Sequence, residues 1–310
     1  MTLDKLEEKF VAVVEDVLPS VVSVYTTVLT RVDLFRVVPV QGMGSGVIVE
    51  EDGIIITNAH VVRKAQKVGL LLHDGKKLDA KVLGMMKGLD IAILKVEETD
   101  LDPITIGDSS TLKVGQFAIA VGNPLGLGKS VTFGMVSALN RSIRAQNAQL
   151  DGLIQTTAEI NPGNSGGALV DTNAGLIGIP TAVIPFSQGI GFAIAIDSVK
   201  GLLEEFRETG KVSTPWIGIT GYTIDPRIAN YYKLSHDKGA LIIQVPAGPA
   251  KKAGIKPGDI IVGINDNEIN SIQILIQKIV KRRIGEEVKV KYIRNGREFE
   301  TYVKLSKAST

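Results

Sequence analysis

The chain has 310 residues, 44% hydrophobic and 22% charged, which is enough apolar chain for two cores and too much for a disordered segment. Its 35 Lys and Arg against 33 Asp and Glu give a net charge of +2, without the basic excess that nucleic-acid binding calls for, so no nucleic-acid partner is expected. The absence of cysteine excludes disulfides and thiolate metal sites, no metal or other cofactor is expected, and the wealth of Val, Ile and Gly predicts a mostly β protein.

Met1 to Phe10 are charged throughout and lack the apolar stretch of a secretory leader. Residues 11–30 are broken by Glu15, Asp16 and Pro19 and do not read as a membrane span. The chain as given is expected in the cytoplasm, or outside it if a leader has been removed. Leu6, Phe10, Val13, Val14 and Val17 share one face of a short helix that Pro19 stops, giving an N-terminal segment over 1–20. That face is expected to pack on the body of its own chain.

Val21 to Thr26 reads as a strand and Arg31 to Pro39 as a loop. Gly42-Met43-Gly44-Ser45-Gly46 leads into Val47-Ile48-Val49, which is a strand and not the helix that a dinucleotide fingerprint requires. Glu51-Asp52-Gly53 turns the chain into Ile54-Ile55-Ile56, and Thr57-Asn58-Ala59-His60-Val61-Val62 follows. Of the three histidines, His73 and His236 lie in polar turns; His60 alone follows an apolar strand. Lys67 to Leu72 and Lys77 to Leu83 pair around Asp74-Gly75. Asp90 then stands at the head of the apolar strand Ile91 to Val96.

Asp102-Pro103 marks a crossing to a second set of strands, Val114 to Val121 and Val131 to Leu139. Asn140 to Asp151 is polar and reads as a loop. Ile154 to Ala158 leads into Ile160-Asn161-Pro162-Gly163-Asn164-Ser165-Gly166-Gly167-Ala168. Glycines around one serine permit positive φ and leave N–H groups uncovered, so an Oγ and two donors can surround a single carbonyl, as acyl transfer requires. Leu176 to Ile179 and Gly191 to Ile196 read as closing strands, with an apolar loop from Thr181 to Phe186 between them. Asp197 to Gly210 reads as a helix capped by Asp197 and ended by Gly210, and Lys211 to Pro215 as a linker.

Beyond the linker, Trp216 to Thr220 and Ala240 to Val245 read as strands, followed by Pro257-Gly258-Asp259-Ile260-Ile261. Ile272 to Lys281 is predicted helical, with Ile272, Leu275, Ile276 and Ile279 on one side. Val288 to Ile293 and Glu298 to Leu305 form a hairpin around Asn295-Gly296.

His60, Asp90 and Ser165 follow one another in the order of the chymotrypsin-type triad. Thr57 to Val62, Leu89 to Val96 and Gly163 to Leu169 together resemble the HtrA (Deg) family of trypsin-fold serine proteases. The segment from Trp216 onward resembles a PDZ domain, a module that takes an extended peptide as an added strand. The resemblance implies a chymotrypsin/trypsin-like double β-barrel over 21–210, a linker over 211–215 and one PDZ domain over 216–308. It implies His60 as general base, Asp90 as its orienting acid, Ser165 as nucleophile, and the N–H groups of Gly163 and Ser165 as oxyanion hole. It places Ile160, Val183 and Ile184 around the S1 pocket; all are branched and apolar, so cleavage is expected after Val, Ala, Ile or Leu, unless the three are ordinary core. Trp216-Ile217-Gly218-Ile219 matches the family's carboxylate-binding loop, for the C-termini of peptides.

Aliphatic cleavage sites are buried in folded proteins, so the implied substrates are unfolded or misfolded polypeptides. No phosphate-binding Gly-Lys loop is present, so the work is done without ATP. The alternative is an ATP-independent chaperone that holds such chains, with minor proteolysis. The family's use of its N-terminal segment implies a homotrimer or a multiple of one. Residues 140–151 occupy the place of its sensor loop, where Arg144 is the candidate for relaying a signal from the PDZ domain.

Overall fold

The computed structural model describes residues 2–31, 36–86, 88–123, 130–145, 148–161, 163–183, 189–210, 215–224, 229, 236–280 and 282–307; of these, the side chains of 31, 37, 144, 145, 148, 149, 182, 183, 273 and 277 lie outside the description. The chain divides into two compact units, residues 1–145 with 150–212, and residues 146–149 with 213–310.

The first unit opens with helix α1 (Leu3–Val17), which buries Val13 and Val17. Phe10 packs against Phe117 and Phe133, with ring centroids 5.8 and 4.6 Å away. The apolar helical face thus lies on the same chain's second barrel. Pro19 ends the helix in a single tight turn, Leu18–Ser20.

Six strands close the first barrel: β1 (Val21–Arg31), β2 (Val37–Glu50), β3 (Ile54–Asn58), β4 (Lys67–Leu71), β5 (Lys77–Met86) and β6 (Ile91–Val96), in the order β1-β2-β3-β6-β5-β4. Its interior is Val22, Val24, Ile48, Ile55, Leu70, Ala92, Leu94 and their neighbours. Each Val, Leu or Ile side chain among them, removed from water, contributes about 1.5–3 kcal/mol. Gly53 turns β2 into β3 with a φ of 93°, as its Asp-Gly signal predicts.

The second barrel is β7 (Phe117–Gly122), β8 (Ser130–Ala145), β9 (Ala148–Thr156), β10 (Ala168–Val170), β11 (Leu176–Val183) and β12 (Gly191–Ala195), in the order β10-β11-β12-β9-β8-β7. Two expectations are corrected here. Residues 140–145 and 148–151 of the polar stretch are not loop but the ends of β8 and β9, and 146–147 lie outside the described residues. Asn140, Arg141 and Ser142 are exposed, so pairing rather than burial makes this segment strand, and no apolar alternation announces it. Likewise Thr181 to Val183 continue β11 instead of opening a loop.

Helix α3 (Asp197–Thr209) ends at Gly210 in the left-handed region, as predicted, but Asp197 is its first residue and not its cap. Ser109, remote in sequence, supplies the cap: its Oγ accepts from the Asp197 N–H at 3.1 Å and donates to the Asp197 carboxylate at 2.6 Å.

The second unit holds β13 (Pro215–Trp216), β14 (Thr220–Thr223), β15 (Ala240–Gln244), helix α4 (Pro249–Lys252), β16 (Ile260–Ile264), β17 (Asn267–Glu268), helix α5 (Ile272–Val280), β18 (Glu287–Arg294), β19 (Arg297–Lys304) and β20 (Ser306–Lys307). The sheet runs β14-β15-β16-β18-β19, and β17 joins β16. Asn295-Gly296 makes the tight turn of the β18–β19 hairpin, with φ of 52° and 75°. Of the four residues expected on one side of helix α5, Ile272, Leu275 and Ile279 are buried and Ile276 is 51% exposed. Asp259, 1% exposed, receives a bidentate grip from Arg294 at 2.6 and 2.7 Å and the Lys256 N–H at 2.8 Å. A carboxylate so satisfied tolerates burial and fixes the Pro257-Gly258-Asp259 turn.

Candidate active site

Strand register brings His60 and Asp90 together. β3 and β6 pair antiparallel with Asn58 opposite Ile91, so residues just beyond one end of that pair are neighbours. The one-turn helix α2 (Ala59–Val62) begins there and carries His60. Asp90 takes a positive φ of 56°, which a short polar side chain tolerates better than most. Its backbone oxygen accepts from the Ala59 N–H and from Asn58 Nδ2, both at 3.0 Å. Its Oδ1 accepts from the His60 N–H at 2.9 Å. Its Oδ2 lies 2.6 Å from His60 Nδ1 and accepts the Thr181 hydroxyl at 2.7 Å. A carboxylate only accepts, so Nδ1 carries the imidazole proton and Nε2 presents its lone pair. The ring is a third exposed and can be reached from solvent.

Ser165 stands on a turn between two left-handed glycines, Gly163 at φ 105° and Gly166 at 84°. A Cβ on Gly166 would sit 2.3 Å from the Ser45 carbonyl oxygen and 2.4 Å from Thr57 Oγ1, so the turn admits no side chain there. The N–H groups of Asn164, Gly166 and Gly167 are bonded to the carbonyls of Asn161, Pro180 and Asn164. Among the described residues no acceptor meets the N–H groups of Gly163 and Ser165. The Ser165 hydroxyl donates to the Thr181 carbonyl at 3.4 Å, and no hydrogen bond joins it to the His60 ring among the described residues. Such bonds are commonly loose without substrate and tighten when it binds.

Ile160, the first residue of the S1 set, is 5% exposed within the second-barrel core. A Cβ on Gly191 would meet its Cγ1 at 2.5 Å, so Gly191 leaves room for this side chain. The neighbouring Glu159 is exposed, and its carboxylate accepts from Asn161 Nδ2 at 3.0 Å. The Val183 side chain, Ile184 and the Arg144 side chain lie outside the described residues.

In the second unit, Trp216 belongs to β13, paired with β20, and its indole covers Gly248, where a Cβ would meet the ring at 2.6 Å. Ile217 is buried in the core and its carbonyl accepts the Ala250 N–H at 2.8 Å. Gly218 has a φ of 86°, and among the described residues no acceptor meets the N–H groups of Gly218 and Ile219. The chain runs from there into β14, the edge strand of the sheet. Ile272, at the start of α5, donates its N–H to Thr223 Oγ1 at 3.2 Å. Of the predicted loop, then, the first half is structural and the second half offers donors.

Two residues at the site escape the sequence pattern. Thr181 touches both Asp90 and Ser165, yet it reads as one polar residue in an apolar run. Ser45 touches the serine turn from the first barrel, and its only signal is a hydroxyl between two glycines before a strand. Among the described residues no group of three or more His, Asp or Glu could hold a metal.

A trypsin-like peptidase domain is matched over residues 44–179 and a PDZ domain over 217–305. The periplasmic pH-dependent serine endoprotease DegQ of Escherichia coli K12 is 41% identical over 281 residues, covering 88% of this chain and 61% of that protein. The periplasmic serine endoprotease DegP of the same strain is 40% identical, covering 87% of this chain and 58% of its own length. The chain therefore spans about three fifths of the length of the curated relatives it matches. Among solved structures, the HtrA-type protease AlgW with a decapeptide superposes with a TM-score of 0.73 at 30% identity, covering 97% of this chain and 99% of that one. A serine endoprotease from Yersinia pestis gives 0.69 at 32% identity, covering 97% and 98%. With nearly full mutual coverage at such identity, and both domains matched in order, the chain belongs to the HtrA (Deg) family of trypsin-like serine proteases that carry a PDZ domain.

Proposed function

We propose that the chain is an ATP-independent serine endopeptidase of unfolded or misfolded polypeptides. The observation that carries this is the His60–Asp90 contact of 2.6 Å beside a serine turn with two N–H groups left over. Ser165 Oγ attacks the scissile carbonyl, His60 Nε2 takes its proton and returns it to the leaving amine, and Asp90 holds the tautomer and favours the imidazolium. The N–H groups of Gly163 and Ser165 receive the developing oxyanion, each contributing about 10²–10³ in rate. Ile160, with Val183 and Ile184, forms an S1 pocket for small or branched aliphatic residues; the outward-facing carboxylate of Glu159 supports an apolar rather than an acidic floor.

The Gly218 and Ile219 donors and the β14 edge support capture of a peptide C-terminus, with Trp216 and Ile217 shaping the loop. Assembly into a homotrimer, or a multiple of one, is supported by the Phe10–Phe117–Phe133 cluster. Phe117 and Phe133 are 39% and 50% exposed, and Val131 and Met135, which share a strand face with Phe133, are 39% and 42% exposed on one chain. The periplasmic names of the relatives support an extracytoplasmic location. A second reading, a holdase with minor proteolysis, is favoured by the unformed bond between Ser165 and His60.

Incubation with casein, comparing the chain with Ser165→Ala, tests these readings. Cutting by the unaltered chain alone, with fragments ending in aliphatic residues, is expected. If neither cuts and both suppress aggregation of the substrate, the holdase reading takes its place.

A further inference from the structure

Ser45 is polar, fully buried, and lies in β2 of the first barrel, opposite Ser23 of β1. All its polar groups are engaged, and most of them reach across to the second barrel. Its N–H donates to the Ser165 carbonyl at 2.9 Å, and its hydroxyl donates to the Gly163 carbonyl at 2.6 Å. That hydroxyl also accepts the Asn123 N–H at 2.8 Å, and the Ser45 carbonyl accepts the Thr57 hydroxyl at 2.6 Å.

The order of peptide planes in the serine turn gives this arrangement its meaning. The Gly163 carbonyl belongs to the plane joining 163 to 164. The Ser165 carbonyl belongs to the plane joining 165 to 166. Between them lies the plane that carries the Ser165 N–H. One residue therefore grips both neighbours of the plane that aims a donor at the reacting carbonyl. With its neighbours so anchored, the plane can turn over only by opposite rotations about its two Cα atoms, and that breaks the bond its own carbonyl, of Asn164, accepts from the Gly167 N–H at 2.9 Å. The surroundings admit no slack: a Cβ on Gly122 would fall 2.7 Å from Asn164 Oδ1 and 3.1 Å from Ser45 Oγ.

We propose that Ser45 is a positioning residue for the peptidase reaction, setting the rotation of the Asn164–Ser165 peptide and hence the aim of the oxyanion donor. The proposal rests on the reading of Gly163 and Ser165 as that hole. Ser45 touches neither the nucleophilic Oγ nor the His60 ring among the described contacts; it acts through the backbone of the turn.

The test uses the full chain, a short peptide substrate, a peptidyl boronate that forms a tetrahedral adduct on Ser165, and a non-covalent product peptide. Ser45→Ala is expected to lower kcat by about 10²-fold while KM stays within about twofold. Boronate affinity is expected to fall in step with kcat, and product affinity to stay unchanged. Ser45→Cys, close in volume and a weak donor, is expected to recover part of kcat, and it carries the same comparison should the alanine variant not fold. A folded Ser45→Ala with kcat and boronate affinity within about threefold of the unaltered chain overturns the proposal alone. So does a loss confined to KM. An unaltered chain that neither hydrolyses peptide nor binds the boronate removes the oxyanion reading, and this proposal with it.

Discussion

The two arms of the site are built differently. The His60–Asp90 arm is a product of the β3–β6 register, and every Asp90 oxygen is occupied. The Ser165 arm is a glycine turn whose conformation depends on residues far away in sequence: Ser45 on one side, Pro180 and Thr181 on the other. The base and its acid sit at the ends of two strands of the first barrel and take one bond from the second, that of Thr181; the nucleophile and its hole take two across the same boundary, both from Ser45. Disturbance of the packing between the barrels should therefore cost the serine turn more bonds than it costs the base.

Breaking the first arm should have the largest effect. Asp90→Asn is expected to cut kcat by about 10⁴-fold with little change in the fold, because the amide favours the wrong imidazole tautomer. Steady-state kinetics beside a thermal melt check it. Breaking the second arm comes next. Gly166→Ala puts a methyl within 2.4 Å of two first-barrel oxygens at a φ of 84°. It should lower kcat by about 10²–10³-fold and stability by about 1–3 kcal/mol, as read by kinetics and urea titration. A variant that lost stability but kept kcat would show that the turn tolerates displacement.

Thr181→Val cuts the strut between the arms while keeping the volume. Loss of one charge-assisted bond to Asp90 should reduce kcat by roughly tenfold. The smallest effect serves as a control away from both arms. Burial alone would raise the Asp197 carboxyl, but Lys200 and Ser109 together hold it below its ordinary value of 3.8. A carboxyl depressed on folding stabilises the protein above that ordinary value, and the contribution is lost as pH falls through the lower folded one. Asp197→Asn should flatten acid unfolding in that window, monitored by circular dichroism, and leave kcat unchanged near neutrality.

The architecture was legible because turn chemistry and apolar runs coincide. Asp74-Gly75 and Asn295-Gly296 sit between alternating strands, and Gly210 ends its helix as a left-handed residue should. The strand ends at 140–145 and 181–183 were hidden for opposite reasons. The first segment is polar and paired in the open, so burial leaves no imprint on its sequence. The second is apolar enough to be core but begins where a proline and a threonine suggest a break. Within the site, residues whose chemistry is rare stand out: one histidine after a strand, one acid before a strand, one serine among glycines. Ser45 and Thr181 were silent because a buried hydroxyl that serves backbone carbonyls looks, in sequence, like any other small polar residue.

The β14 edge has a consequence for the protein's own solubility. A free row of backbone groups at a sheet margin recruits any extended chain, including a second copy of itself, and is a seed for aggregation. Here the margin is four residues long, and its pairing with β15 shifts register between Thr220 and Gly221. A short, kinked border offers too little ladder for sheet-to-sheet growth, yet enough for a few residues of a single strand. In a protein that would keep company with unfolded chains, the brevity of that border separates selective pairing from indiscriminate adhesion.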